Sequence, residues 1–317
     1  MLALPAMKLP PAILIMGPTA SGKTAAAMAL ADRLPVGLIS VDSAQVFIDM
    51  DIGTAKPDRE TLARYPHYLI DLITPEQRYS AARFRADALA AMNEIHADGR
   101  VPVLVGGTML YFRALLHGLA ELPQADDALR ASIDADAARL GWPAMHARLA
   151  ELDPVTAARL PPNDSQRIQR ALEVCLAGGR PMSVQLAESE QEKPLWDFLQ
   201  LALLPSDRAV LHERIARRFD EMLLAGLDEE VAMLRQKYRL DPELPAMRCV
   251  GYRQVWEAQD GLIPRQEMRD RGVFATRQLA KRQITWLGNS FAAETFDCID
   301  AGLSERVSER VARFLNA

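Results

Sequence analysis

A glycine-rich segment near the start of the chain constrains the fold more than any other feature. It reads Gly17-Pro18-Thr19-Ala20-Ser21-Gly22-Lys23-Thr24 and fits the pattern G-x-x-x-x-G-K-[ST]. An apolar run at residues 12–16 precedes it, and an alanine-rich helical pattern at residues 23–34 follows. Strand, loop and helix in this order are typical of a P-loop, whose backbone N–H groups and lysine surround phosphate oxygens while its final hydroxyl binds Mg²⁺. We therefore expect Lys23 on a phosphate and Thr24 on Mg²⁺, with a chance glycine-rich turn as the alternative.

Strand and helix patterns alternate through the first 120 residues. Apolar runs at residues 12–16, 37–41 and 101–105, and a weaker one at 68–72, predict four strands. A helix is predicted from Ser80, as its N-cap, to residue 98, with Gly99 as the stop signal. Apolar strands separated by helices form parallel sheets that are covered on both faces.

Residues 126–193 carry helical patterns without a convincing strand, and loops are expected at Pro143, Pro161-Pro162 and Gly178-Gly179. A strand pattern returns at 198–204, followed by helices over 208–287, a short strand at 295–299 and a helix at 304–315. We predict an α/β fold, a P-loop NTPase-like parallel sheet core flanked by helices, with a helical insertion domain. Residues 1–122 and 196–317 form the two parts of the core, and residues 123–195 form the insertion.

Composition narrows the classes of function. The chain has 37 Lys and Arg against 42 Asp and Glu, so its formal charge of −5 argues against coating nucleic acid by bulk charge but permits a local basic patch. Cys175, Cys249 and Cys298 lie far apart, which excludes a zinc finger or disulfide framework and favours a reducing compartment. The histidines show no metal-ligand spacing, and no apolar stretch is long enough to span a membrane. We expect a cytoplasmic protein with no membrane segment.

A P-loop site also needs an acidic side chain at the end of another strand to hold Mg²⁺. Asp42 and Asp71 both follow apolar runs. We favour Asp42, one strand from the P-loop, because carboxyl ends of parallel strands open into the ligand crevice; a helix N-cap is the alternative. Asp71 has apolar neighbours and no polar partner in the sequence, so a structural role is expected there.

A second charged feature lies near the end of the chain. Residues 271–289 contain Arg271, Arg277, Lys281 and Arg282 and no acid, with Trp286 nearby. Cations that contact phosphates and an aromatic ring that stacks on bases are the chemistry of single-stranded RNA binding. On these residues alone, a solvated helix face over a buried Trp is the better interpretation.

Several segments together resemble the bacterial type of the tRNA dimethylallyltransferase family, also called tRNA isopentenyltransferases. They are GPTASGKT at 17–24, SVDSAQV at 40–46, DIGTAKP at 51–57, YSAARFRADA at 79–88, VLVGGTMLYFRALL at 103–116, NDSQRIQRALEV at 163–174, RCVGYRQVW at 248–256 and ATRQLAKRQITWL at 275–287. The resemblance extends from about residue 12 to residue 287. The P-loop alone is generic, whereas the ordered set is specific.

The resemblance implies a reaction. Family members transfer a dimethylallyl group from dimethylallyl diphosphate to N6 of the adenine 3′ of the anticodon in tRNAs that read codons beginning with U, and release diphosphate. The P-loop then holds the donor's diphosphate with Mg²⁺. Asp42 is the base that accepts the N6 proton, Thr19 lies near the donor, and Thr108 touches the target adenosine, where a plain helix cap is the alternative. Of Arg214, Arg217 and Arg218, the last best matches the family's diphosphate-binding arginine.

The resemblance also implies partners and contacts. The expected partners are dimethylallyl diphosphate and the anticodon stem-loop of tRNA, bound by a monomer. The implied tRNA contacts are Asp42, Ser43, Ala44, Gln45, Arg130, Gln166, Arg167, Ile168, Gln169, Arg170, Arg248, Cys249, Val250, Gly251, Tyr252, Arg253, Lys281, Arg282, Gln283 and Trp286. Three alternatives stay open: a P-loop kinase or NTPase acting on a small molecule, an enzyme that prenylates AMP, and an RNA-binding protein that uses a nucleotide as a switch.

Overall fold

The computed structural model describes residues 9–120, 122–123, 127–188 and 195–316. Its first elements alternate as predicted: β1 (Pro11–Met16), α1 (Lys23–Ala31), β2 (Val36–Val41), α2 (Arg59–Arg64), β3 (His67–Tyr68), α3 (Ala81–Ala97), β4 (Val101–Gly106) and α4 (Met109–His117). Helix α3 begins where expected, because the Ser80 side chain accepts the Arg83 N–H. Gly99 follows its end with a φ of 72°.

A run of helices follows: α5 (Asp127–Leu140), α6 (Trp142–Leu152), α7 (Pro154–Ala157), α8 (Ser165–Gly178) and α9 (Met182–Glu188). The remaining elements are β5 (Asp197–Leu204), α10 (Arg208–Leu224), α11 (Leu227–Lys237), α12 (Tyr252–Gln259), α13 (Arg265–Ser290), β6 (Glu294–Asp297) and α14 (Leu303–Leu315).

The six strands form one sheet in the order β3-β2-β4-β1-β5-β6, and each neighbouring pair is parallel. The predicted α/β fold with a parallel sheet is confirmed. The expectation that β2 lies one strand from the P-loop is wrong, because β4 lies between β2 and β1. Gly106 pairs with both Met16 and Val41, so the carboxyl ends of these three strands meet at one edge of the sheet.

Helices cover both faces of the sheet, as side-chain alternation along a strand requires. Ile13 of β1 packs with Leu30 of α1 and Val307 of α14 on one face. Its neighbour Leu14 packs with Phe84 of α3 on the other. A third apolar cluster holds helices α10–α13 together beside the segment around Phe47.

Two compact units divide the chain. One comprises Met1–Leu116 and Pro194–Ala317, and the other His117–Lys193. The second unit has its own core, in which Ile133, Leu149 and Leu172 are buried. It consists of α5 to α9 and contains no strand among its described residues.

Three local expectations are wrong. The strand predicted at 68–72 is only His67–Tyr68, because Leu69 and Asp71 have φ angles of 66° and 55°, which break the extended backbone. Asp71 does have a polar partner, since its carboxylate accepts Lys56 Nζ at 2.6 Å. Pro143 lies in the first turn of α6 rather than in a loop, where its missing N–H costs no hydrogen bond. Among the described helices, none combines the length and apolar character needed to cross a membrane.

Candidate active site

A cavity of about 520 Å³ opens at the carboxyl ends of β1, β4 and β2. Its walls come from the P-loop, the turn after β2, residues 53–55, the end of β4, helix α10, residues 245–250 and helix α13. The predicted site residues that line it are Thr19, Lys23, Thr24, Asp42, Ser43, Ala44, Gln45, Thr108, Arg218, Arg248, Cys249, Val250, Arg282, Gln283 and Trp286. Residues from six separate stretches of sequence thus meet in one place.

The P-loop is held by tight backbone packing. A Cβ at Gly17 would lie 2.7 Å from the Leu203 carbonyl oxygen, so only glycine fits there. Gly22 caps α1 with a φ of 78°, in the left-handed region. Lys23 Nζ donates to the Pro18 carbonyl at 2.6 Å. Burial, and secondly the charge of Arg218, lowers the pKa of Lys23 to about 8, although Asp42 opposes this shift.

The Asp42 turn is joined to the end of β4 through Thr108. Asp42 Oδ1 accepts the Ala44 N–H at 2.8 Å. Its second oxygen accepts no hydrogen bond from the described part of the chain. Thr108 Oγ1 accepts the Ser43 N–H at 3.0 Å, so this side chain supports the turn rather than capping α4. One carboxylate oxygen therefore stays open to a ligand in the cavity.

The three candidate arginines of α10 have different surroundings. Arg218 lines the cavity. Burial lowers its pKa, and the charge of Asp42 opposes that shift. Arg214 instead donates to the Cys298 carbonyl at 2.9 Å, and Arg217 is exposed and absent from the cavity lining. Of the three, Arg218 is the one in position to meet an anion beside Lys23.

The residues that face the cavity fit Mg²⁺ only together with a phosphate. Thr24 and Asp42 both line it. No group of three or more His, Cys, Asp or Glu that could hold a metal exists in the described ranges. Mg²⁺ is typically bound by one or two protein oxygens plus substrate phosphates and water. The oxygens of Thr24 and Asp42 suit a metal ion that binds together with a phosphate ligand.

Gln45 and Cys249 also line the cavity. Gln45 Oε1 accepts the Ser40 hydroxyl at 2.8 Å, which fixes its amide over the cavity. Burial, and then the charge of Asp42, raises the pKa of the Cys249 thiol to about 12. The thiol therefore stays protonated and adds no anion beside Asp42.

Two residues predicted to contact tRNA after Cys249 are packed inside the protein. Gly251 is buried and starts α12 with a φ of 94°. Tyr252 is fully buried and donates its hydroxyl to Glu230 at 2.5 Å. Arg253 is exposed, outside the cavity, and pairs with Glu257 at 2.8 Å. The structure thus gives Gly251 and Tyr252 packing roles rather than surface contacts.

The cations of helix α13 differ in exposure and in whether they pair with an acidic side chain. Arg271 pairs with Glu267 at 2.8 Å. Lys281 and Arg282 are exposed and have no acidic partner among the described residues. Trp286 is only partly buried and lines the cavity, so the end of α13 near the cavity carries the free positive charge.

The predicted contacts of the helical unit form their own network. Arg130 and Arg170 both pair with the buried Glu173, at 2.8 and 3.4 Å. Gln169 Nε2 donates to Asp134 at 2.7 Å. Gln166 and Arg167 are accessible. Ile168 is fully buried in the core of this unit, so its predicted contact with tRNA is replaced by a packing role.

A model of the IPP transferase family matches residues 45–290. The chain belongs to this family. A protein of Dechloromonas aromatica, named tRNA dimethylallyltransferase, is 76% identical over 98% of this chain and 99% of its own length. The full-length tRNA isopentenylpyrophosphate transferase of Bacillus halodurans has a similar crystal structure, with a TM-score of 0.69, 34% identity, and coverage of 96% of this chain and 95% of that one.

A eukaryotic dimethylallyltransferase, whose crystallographic snapshots show it acting on tRNA, has the same fold. Its TM-score is 0.80 at 24% identity, with coverage of 97% of this chain and 80% of that one. The predicted family, and the prediction of an enzyme that transfers prenyl groups, are confirmed by the family match and the named relatives.

The cavity of this IPP transferase also has wall residues that were not predicted from the sequence. Residues 53–55 line the cavity, as do Ile215, Phe219 and Met222. The latter three lie on α10 together with Arg218. They are spaced four and three residues apart, which places them on one face of the helix. That spacing beside a candidate anion-binding arginine was the available signal. Residues 53–55 offered none beyond their place in the DIGTAKP segment.

Proposed function

We propose that this chain transfers a dimethylallyl group from dimethylallyl diphosphate to N6 of the adenine 3′ of the anticodon in tRNAs that read codons beginning with U. The observation that carries the proposal is a single cavity in which two cations, Lys23 and Arg218, lie near one carboxylate, Asp42. Such a cavity has one end suited to an anionic leaving group and another suited to a proton. The name of the 76% identical relative supports the same activity.

The cationic end would stabilise the departing diphosphate. The C–O bond of the donor breaks as the new C–N bond forms, and negative charge grows on the diphosphate. Lys23, which its hydrogen bond to the Pro18 carbonyl holds in place, and Arg218 would neutralise that charge. Mg²⁺, which we propose is held by Thr24 and the diphosphate itself, would supply further positive charge there.

The acidic end would take up the proton. The lone pair of adenine N6 is delocalised into the ring, so N6 becomes a better nucleophile when its proton leaves as the C–N bond forms. Asp42 has one oxygen anchored by the Ala44 N–H and the other open. The open oxygen is the acceptor we assign, a role generally worth about 10²- to 10⁴-fold in rate.

The target base must leave its stack to reach this cavity. We propose that Thr108 and Gln45 contact the extruded adenine, because both line the wall next to Asp42. Arg248 and Arg282 are exposed and line the cavity, and Lys281 is exposed beside Arg282, so all three suit the RNA backbone. The proposed enzyme acts as a monomer in the cytoplasm and binds the anticodon stem-loop.

The test is an incubation with labelled dimethylallyl diphosphate, Mg²⁺ and unmodified tRNA, followed by acid precipitation. Label in the precipitate, and at N6 of the base after the anticodon, supports the proposal. Brisk ATP turnover without transfer would favour a P-loop kinase or NTPase and contradict it. Label recovered in AMP but absent from tRNA would contradict it as well.

A further inference from the structure

We infer that Gln283 is a positioning residue that joins the P-loop, the end of β4 and helix α13 through both atoms of its amide. Its Oε1 accepts the Thr19 N–H at 2.9 Å. Its Nε2 donates to the Gly107 carbonyl at 2.8 Å. This inference rests on the proposed function, and it assigns Gln283 a role different from the tRNA contact expected from the sequence.

The amide fits because Gly107 has no side chain. A Cβ there would lie 2.4 Å from Gln283 Nε2 and 3.3 Å from the Gly17 carbonyl oxygen. A side chain at position 107 would therefore displace the Gln283 amide from its two hydrogen bonds. The fit is therefore built from two distant parts of the sequence, 176 residues apart.

Further hydrogen bonds connect the partners of Gln283 to the turn that carries Asp42, the proposed proton acceptor. Gly107 is followed by Thr108, whose N–H donates to the Val41 carbonyl at 3.2 Å and whose hydroxyl accepts the Ser43 N–H at 3.0 Å. A continuous series of hydrogen bonds thus runs from Thr19, beside the donor site, to the turn that holds Asp42. Gln283 is its central member, and it fixes the separation between the leaving-group end and the proton-accepting end.

Only an amide meets both demands. The Thr19 N–H requires an acceptor and the Gly107 carbonyl requires a donor, and a glutamine side chain supplies one of each. A carboxylate would face the Gly107 carbonyl with two acceptors and would add a negative charge near the diphosphate. A thioether of similar length would make neither bond.

The test compares Gln283→Met with Gln236→Met, a matched control because Gln236 is exposed on α11 and outside the cavity. We expect Gln283→Met to lower kcat by about 10- to 100-fold, the usual result of losing two hydrogen bonds that position a reacting group. The Kd for tRNA stays unchanged, since no RNA contact is removed. Gln283→Glu is expected to lower kcat further and to raise the KM for the donor. The control behaves as wild type.

A second measurement is independent of activity. Hydrogen exchange of the peptide containing Thr19, in the protein without substrates, is expected to speed up in Gln283→Met and not in the control. An unchanged exchange rate overturns the inference, as does a loss of tRNA affinity with kcat preserved. If the wild-type protein transfers no dimethylallyl group, the proposed function fails, while the exchange measurement still decides the role of Gln283.

Discussion

The hydroxyl of Tyr252 donates to the carboxylate of Glu230 at 2.5 Å, inside the cluster formed by helices α10–α13. The same carboxylate accepts the backbone N–H groups of Asp51, Ile52 and Gly53, at 3.0, 2.7 and 3.2 Å. Burial, and then the charge of Glu230, raises the pKa of Tyr252 well above its usual value. One buried carboxylate therefore anchors the backbone that leads directly into the cavity wall at residues 53–55.

Replacing this anchor should destabilise the protein. In Glu230→Gln an amide donor faces backbone donors, so we expect a loss of about 1–3 kcal/mol in the free energy of unfolding. Urea denaturation measures it. Glu229→Gln is the matched control, because Glu229 is the exposed neighbour on α11. Equal stability of the two variants would contradict the anchoring role.

Lys23 should make anion binding sensitive to pH. Its pKa of about 8 means that the protein without ligand loses this charge as the pH rises above that value. Inorganic diphosphate should therefore bind more weakly from about pH 7 to about pH 9.5. Calorimetry at several pH values measures the change in affinity. The control is Lys23→Arg, which stays charged. Its pH profile shows the effect of the titration of diphosphate alone, and the difference between the two profiles is due to Lys23. Parallel pH profiles for the two proteins would refute the prediction.

The same lowered pKa affects stability with a defined sign. The unfolded chain holds the Lys23 proton up to about pH 10.5, whereas the folded protein releases it near pH 8. Because the unfolded state binds more protons in that interval, the contribution of Lys23 to stability rises with pH across it. The difference in unfolding free energy between wild type and Lys23→Met should follow this trend, and an opposite trend would contradict it.

Asp42→Asn should abolish most transfer and spare binding. The amide keeps the size of the side chain but cannot act as a base near neutral pH. The single-turnover rate should therefore fall by about 10²- to 10⁴-fold. Filter binding should give nearly wild-type affinity for tRNA. Asp71→Asn is the control, since Asp71 also follows a strand but pairs with Lys56 outside the cavity. A wild-type rate in Asp42→Asn would remove this residue from the base role.

Lys281 and Arg282, the exposed pair of cations near the end of α13, should account for part of the salt dependence of tRNA binding. Each phosphate contact that is lost should reduce the slope of log affinity against log salt by about one. We expect this for Lys281→Ala and Arg282→Ala. Arg271→Ala, whose side chain is paired with Glu267, should leave the slope unchanged. Identical slopes in all three variants would rule out phosphate contacts at positions 281 and 282.

Arg218→Ala should weaken binding of inorganic diphosphate, and Arg217→Ala should not. Both residues lie in adjacent positions of α10, but only Arg218 lines the cavity. Removing a charge that meets a buried anion typically costs about 2–5 kcal/mol. Calorimetric titration of both variants compares them directly, and equal losses would show that the assignment of Arg218 is wrong.

The features that were predicted from the sequence are those that a parallel sheet brings together. The P-loop, Asp42 and Thr108 each follow an apolar strand, and strand ends of one direction share an edge. The role of Gln283 was out of reach, because its partners lie 264 and 176 residues away along the chain. The anchoring by Glu230 depends on contacts of the same kind. An apolar run at 68–72 was mistaken for a strand because hydrophobic pattern alone does not reveal positive φ angles.

The strand order also sets a length. The P-loop ends β1 and Asp42 follows β2, with β4 between them. Neighbouring strands are about 4.8 Å apart, so the carboxyl ends of β1 and β2 are separated by two spacings, or about 10 Å. Backbone hydrogen bonds hold the strand ends at that distance, and the side chains of Gln283 and Thr108 then connect the loops that follow them. Mutation can therefore retune the charges, the walls and the loop spacing of this cavity, whereas the distance between its strand ends belongs to the sheet.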